Sequence, residues 1–123
     1  MAQARKVAIL GGARIPFARS NTAYATQSNQ AMLTAALKGV VDKFQLHGER
    51  IGEVAAGAVL KHSRDFNLTR ESVLSSGLAP ETSAFDVQQA CGTGLEAAIN
   101  IGNKIALGQI DSGGGGGVDT TSD

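Results

Sequence analysis

The chain holds one cysteine, and it stands among small residues: Ala90-Cys91-Gly92-Thr93-Gly94. The flanking residues read as a short strand, Phe85-Asp86-Val87, a tight turn, and the first turns of a helix through Leu95-Glu96-Ala97-Ala98. A thiol at such a junction meets the positive end of a helix dipole, which favours thiolate over thiol. Gly92 and Gly94 let a substrate or a second loop approach closely, or they simply permit packing. The chemistry this arrangement offers is nucleophilic. The plain alternative for a lone cysteine is a buried structural side chain.

Composition sets what surrounds that cysteine. The chain has 123 residues, 42% hydrophobic, with zero formal net charge. That is long enough for one domain with a real core, and too apolar for a disordered chain. Neutrality gives no footprint for nucleic acid or an anionic membrane. With no Trp and one Tyr, there is nothing to build a base-stacking platform. No apolar run approaches the ~18 residues of a membrane span. The run after the N-terminal Arg5-Lys6 is broken by Gly11-Gly12, so it does not read as a signal peptide. A single cysteine makes no internal disulfide, which fits a reducing, cytoplasmic location.

The positioning elements follow from periodicity. Lys6-Val7-Ala8-Ile9-Leu10 reads as a buried strand ending at Gly11-Gly12. No phosphate-loop pattern follows those glycines, so they mark a turn. Ser20 to Ser28 is polar and reads as a surface loop. Asn29 to Leu46 reads as a helix, with Leu33, Leu37, Val40 and Phe44 at helical spacing, a cap at Ser28 or Asn29, and an end at Gly48. Glu53 to Leu60 reads as a second strand of small residues, followed by a charged loop, Lys61 to Phe66. A short helix is expected over Leu68 to Ser76, capped by Asn67 or Thr69 and ended by Gly77. Ser83 to Val87 reads as a third strand. The helix after Cys91 runs to about Leu107. Leu95, Ala98, Ile99, Gly102, Ile105 and Ala106 line one of its faces, Ala97 and Ile101 widen it, and Glu96, Asn100, Asn103 and Lys104 form a narrow polar stripe. Such a helix is expected to be mostly buried, with the stripe at a solvated or subunit-facing edge. A fourth strand is expected over Ser112 to Val118. The alternation β-α-β-α-β-α-β predicts an α/β class with a mostly parallel sheet.

Four segments in this order resemble one family. Ala13-Arg14-Ile15-Pro16-Phe17 resembles the Arg-Thr-Pro-Phe turn after the first strand of thiolases. Gly57-Ala58-Val59-Leu60, then Asn67-Leu68-Thr69-Arg70, resembles their second strand and the Asn-Pro-Ala-Arg helix start. Ala90-Cys91-Gly92-Thr93-Gly94-Leu95-Glu96-Ala97 is similar to the nucleophile motif Cys-Gly-Ser-Gly-Leu with small residues after it. Ala106-Leu107-Gly108-Gln109-Ile110-Asp111, then glycines, then Val118-Asp119, resembles a segment that reads Gly-Gly-(Met/Val)-Glu. The likeness runs from about Val7 to Asp123. It departs mildly at Leu68-Thr69, which replace Pro-Ala, and more at Gly113 to Gly117, where the family has apolar residues at the start of a strand. Five glycines weaken a strand by about 0.5–1 kcal/mol each relative to Ala. They read as a flexible linker, or as glycine standing where other side chains belong.

The resemblance implies the layered thiolase fold, of which residues 1–123 would be the first βαβαβαβ part of the N-terminal domain, without the loop domain or the C-terminal domain. It implies an acyl-CoA acyltransferase in which Cys91 carries the acyl group as a thioester. Its own N–H is then a candidate donor to the oxyanion, a contribution of typically ~3–4 kcal/mol. Coenzyme A or acyl-CoA would be substrate, with no permanently bound cofactor and no metal, in a homodimer or homotetramer. The family's base, acid and second oxyanion donor lie in Gly-His-Pro, Cys-x-Gly and Asn-Glu motifs, and none is present here. His47 before Gly48 and His62 in the charged loop have the wrong context. His62 reads as a solvated loop residue, or as a contact to a second subunit. These residues alone are expected not to turn over. Two other readings remain open: a ketosynthase-like condensing enzyme, and a non-catalytic thiolase-like protein that binds acyl-CoA or lipid.

Overall fold

A computed structural model describes residues 3–122 of the chain. The elements run α1 (Asn29–Lys43), β1 (Glu53–Ala56), a 3-10 turn (Ser63–Asp65), α2 (Leu68–Ser76), β2 (Ser83–Asp86), α3 (Thr93–Ala106) and β3 (Gly113–Gly115). The strands form one parallel sheet in the order β2-β1-β3. No helix among the described residues is long and apolar enough to cross a membrane.

β1 is the central strand, and its alternation builds both layers. Val54 packs with Val41, Val73 and Leu78, and Ala56 with Leu33 and Leu68, under α1 and α2. Ala55 points the other way, to Ala97 and Ile101 of α3. A strand covered on both faces is apolar along its covered length, which is why Val54-Ala55-Ala56, beyond Glu53 at its head, shows no polar alternation. Fully burying side chains such as Val41, Leu68 and Val73 stabilises by about 1.5–3 kcal/mol each.

The helix ends are set partly by local signals and partly by distant residues. Ser28 Oγ accepts the Ala31 N–H at 3.0 Å, the expected cap of α1. That helix stops at Lys43 rather than Leu46, and the chain turns left-handed first at Gln45 (φ 55°). α2 and its Gly77 end (φ 97°) match the sequence reading. The cap does not: Asn67 makes no capping bond. The Thr69 N–H donates instead to Asp86 Oδ1 at 2.8 Å, and Lys61 Nζ donates to Asp86 Oδ2 at 2.9 Å. The last residue of β2 therefore caps α2. Burial acts to raise the Asp86 carboxyl, but its hydrogen bonds from Thr69 and Lys61, with the Lys61 charge, hold it below its ordinary value.

A carboxyl so lowered stabilises the fold above its unfolded pKa, about 3.9, and that stabilisation fades as pH falls through the lower folded value. Asp86→Asn is expected to cost about 1–3 kcal/mol at neutral pH. It should also flatten the loss of stability below about pH 4. Thermal melts of both proteins between neutral and acid pH check this; parallel acid limbs would show that Asp86 plays no such part.

Three expectations need correction. Lys6 to Leu10 forms no strand; Ile9 and Leu10 are 93% and 81% exposed. Strands need partners, and among the described residues this segment has no ladder neighbour. It is held at its start by Arg5, whose N–H donates to Ala106 O and whose guanidinium donates to Ile105 O, Ile110 O and Asp111. The second correction concerns α3, which is only half covered: Ala97 and Ile101 are buried, while Leu95 and Ile99 are exposed. Its polar stripe is not simply a solvated edge, because Lys104 pairs with Glu53 at the head of β1. Ser83 Oγ also donates to Glu53, at 2.8 Å. Burial acts to raise the Glu53 carboxyl, yet these bonds and the Lys104 charge hold it below its ordinary value. Lastly, β1, β2 and β3 are shorter than the sequence suggests.

The glycine run is not a linker. Gly113, Gly114 and Gly115 pair in register with Glu53, Val54 and Ala55. A methyl group on Gly113 would lie 2.6 Å from Ile101 Cγ2, and one on Gly115 would lie 2.7 Å from Ala98 Cα. Glycine at these two positions lets α3 sit directly on the strand. Gly114 and Gly116 have no such neighbour.

Candidate functional site

The path to Cys91 leaves β2 at Asp86 and crosses the end of β1. The Val87 N–H donates to Ala56 O at 2.9 Å. Gly57 lies against that crossing so closely that a methyl group on it would be 1.8 Å from Val87 O and 3.0 Å from Thr93 Cγ2. Gln88 Nε2 donates to Val59 O at 3.0 Å. The chain then reverses sharply. Gly92 N–H donates to Gln89 O at 2.9 Å, and Thr93 N–H to Ala90 O at 3.3 Å.

The reversal forces Ala90 to φ +45°, a conformation that costs a non-glycine residue of order 1–3 kcal/mol. The Thr93 side chain secures it. Its hydroxyl accepts the Gln89 N–H at 2.8 Å and donates to Ala90 O at 2.8 Å. Thr93 is 5% exposed, so neither bond competes freely with water. Sequence reading assigned Thr93 no role. The available signal was a hydroxyl residue in the first turn of a helix, right after a tight turn, where such side chains bond nearby backbone.

Cys91 itself is a free, exposed thiol at the tip of this elbow. The buried structural alternative is thereby removed. The thiol does not lie within the helix. α3 begins at Thr93 with Gly92 as its N-cap, and that cap brings no side-chain acceptor. The positive helix end therefore faces the elbow without a capping side chain. Beside the elbow, Val59, Lys61, His62, Ser63, Phe66 and Gln88 line an open depression of about 480 Å³. His47 is elsewhere: its Nε2 lies 2.6 Å from Asp42 at the end of α1, against Gly77. Neither histidine is shown to reach Cys91.

Removing the Thr93 hydroxyl tests the elbow. Thr93→Val keeps the shape but removes the acceptor of the Gln89 N–H and leaves the Ala90 carbonyl with the Thr93 backbone N–H alone, at a cost of about 1–3 kcal/mol. Alkylation of Cys91 by iodoacetamide should change by severalfold or more, while Thr93→Ser restores the parent rate. Equal rates in all three proteins would mean that the hydroxyl does not set the elbow.

The fold is thus a parallel α/β sheet that carries an exposed cysteine on a strained strand-to-helix turn. The chain belongs to the thiolase family: the model of the thiolase N-terminal domain matches residues 7–123. A 3-ketoacyl-CoA thiolase of Aliivibrio fischeri (strain ATCC 700601 / ES114) is 33% identical over 120 residues, covering 98% of this chain and 27% of that protein. A 3-ketoacyl-CoA thiolase of Vibrio cholerae is 32% identical over 117 residues, covering 95% and 27%. The fold matches the crystal structure of the Bacillus anthracis acetyl-CoA acetyltransferase with a TM-score of 0.91 at 21% identity, over 98% of this chain and 31% of that one. The chain thus spans about 27% of the length of the curated relatives it matches.

Proposed function

We propose that this chain supplies the acyl-carrying part of a thiolase-type acyl-CoA acyltransferase, with Cys91 as nucleophile. The observation that supports it most is the exposed Cys91 thiol on the Ala90 elbow, at the glycine-capped start of α3. In the first half-reaction the Cys91 thiolate attacks the thioester carbonyl of an acyl-CoA. The tetrahedral oxyanion collapses, the bond from carbon to the coenzyme A sulfur breaks, and coenzyme A leaves as a thiolate that takes a proton. The acyl group remains on Cys91. Backbone N–H groups at the elbow, that of Cys91 first, are the candidate donors to the oxyanion. The acyl group then passes to coenzyme A, or to the carbanion of a second acyl-CoA in a Claisen condensation.

That second step needs a base and an acid. The family resemblance implies them in segments outside residues 1–123. The same reading carries a cytoplasmic enzyme of two or four subunits. Incubating the full-length protein with a radioactive acetyl thioester, beside its Cys91→Ala variant, tests the first step. Label that stays with the parent and is absent from the variant is expected. Equal label in both would refute Cys91 as carrier, and no label in either would favour a binding protein.

A further inference from the structure

Asp119 lies far from Cys91 in sequence, yet it ends a hydrogen-bonded chain that reaches the elbow. Its carboxylate accepts the Val59 N–H through both oxygens, at 3.1 and 3.0 Å, and the Leu60 N–H through Oδ1 at 3.0 Å. The carbonyl of the same Val59 accepts Gln88 Nε2 at 3.0 Å. Gln88 is followed by Gln89, whose N–H is held by the Thr93 hydroxyl beside Ala90. The Val118 N–H donates to Gly57 O at 3.0 Å, which sets Asp119 opposite Val59.

We propose that Asp119 and Gln88 are positioning residues for the Cys91 nucleophile. β1 ends at Ala56, so Val59 and Leu60 have no strand to hold their N–H groups. The Asp119 carboxylate holds both, using each of its oxygens. Val59 is thereby fixed, its carbonyl fixes Gln88, and Gln88 sets the segment that enters the elbow. Gln88 and Asp119 are both exposed and belong to none of the hydrophobic clusters. Their bonds therefore bear on the placement of the elbow more than on the core. Displacing a reacting group by about 1 Å can cost a hundredfold in rate.

The inference rests on Cys91 being the acyl carrier. The test is the single-turnover rate of Cys91 acylation by acetyl-CoA in the full-length protein, compared with Asp119→Asn, Gln88→Met and the double variant. Each single variant is expected to lower the maximal acylation rate by roughly tenfold or more, within the hundredfold scale above. The double variant should be no slower than the slower single one, because both act through Val59. Gln88→Met is at the surface, so its melting temperature should stay that of the parent. Parent rates in folded Asp119→Asn and Gln88→Met would overturn the proposal while leaving Cys91 as carrier. Multiplying losses in the double variant would overturn the shared path through Val59. Absence of any acyl adduct on the parent protein would overturn both readings.

Discussion

Cys91→Ala is expected to lower acyl transfer by the full-length protein by a factor of at least roughly 10⁴, as removal of a covalent nucleophile does. The fold should be unaffected. Cys91 is exposed at the elbow tip and belongs to no hydrophobic cluster, so losing its sulfur opens no cavity. A large rate loss with an unchanged melting temperature therefore separates chemistry from stability. Steady-state thiolysis of acetoacetyl-CoA, measured beside thermal melts, gives both numbers. Substantial turnover by a folded Cys91→Ala protein would place the acyl group elsewhere.

The second large effect is structural, and it reaches the same site. Gly57→Ala is expected to destabilise the protein by about 3 kcal/mol or more, at the upper end of the range for overpacking. The added methyl group would lie 1.8 Å from a backbone carbonyl, that of Val87, and a flexible side chain cannot relieve that contact. Either the Val87–Ala56 hydrogen bond breaks or the segment leading to Cys91 moves. Chemical denaturation of Gly57→Ala should show a much lower midpoint. A midpoint equal to the parent's would mean that β1 and the elbow path are less tightly apposed. Gly114→Ala is the control, because its nearest neighbour would be at 4.0 Å.

Both effects trace to contacts that sequence shows unevenly. The helices were legible because their signals are local. Leu33 and Leu37 repeat at helical spacing, Ser28 caps its own helix, and Gly77 ends one. The central strand was legible because a strand buried on both faces is an unbroken apolar run. Its length was not, since Val59 and Leu60 continue the apolar pattern but bond to Asp119 instead of a strand. The segment Lys6 to Leu10 has strand composition, but composition does not supply a ladder partner. Likewise, periodicity told which face of α3 is apolar, not whether Leu95 and Ile99 would be covered.

The site was half legible. Cys91 stood out through its small neighbours and the family motif, and the structure does expose it. The residues that hold it did not stand out. Ala90 gives no sign in sequence that its φ is positive, because alanine seldom adopts that conformation. Asp86 caps a helix from 17 residues away, and Asp119 holds Val59 from 60 residues away. No local pattern encodes such pairings.

The central claim is that the elbow presents Cys91 to receive an acyl group. The most direct measurement is peptide mapping of the full-length protein after brief reaction with acetyl-CoA and an acid quench. One acetyl group, removable by hydroxylamine, is expected on the peptide that contains Cys91. An acetyl group on another residue, with Cys91 still a free thiol, would contradict the account.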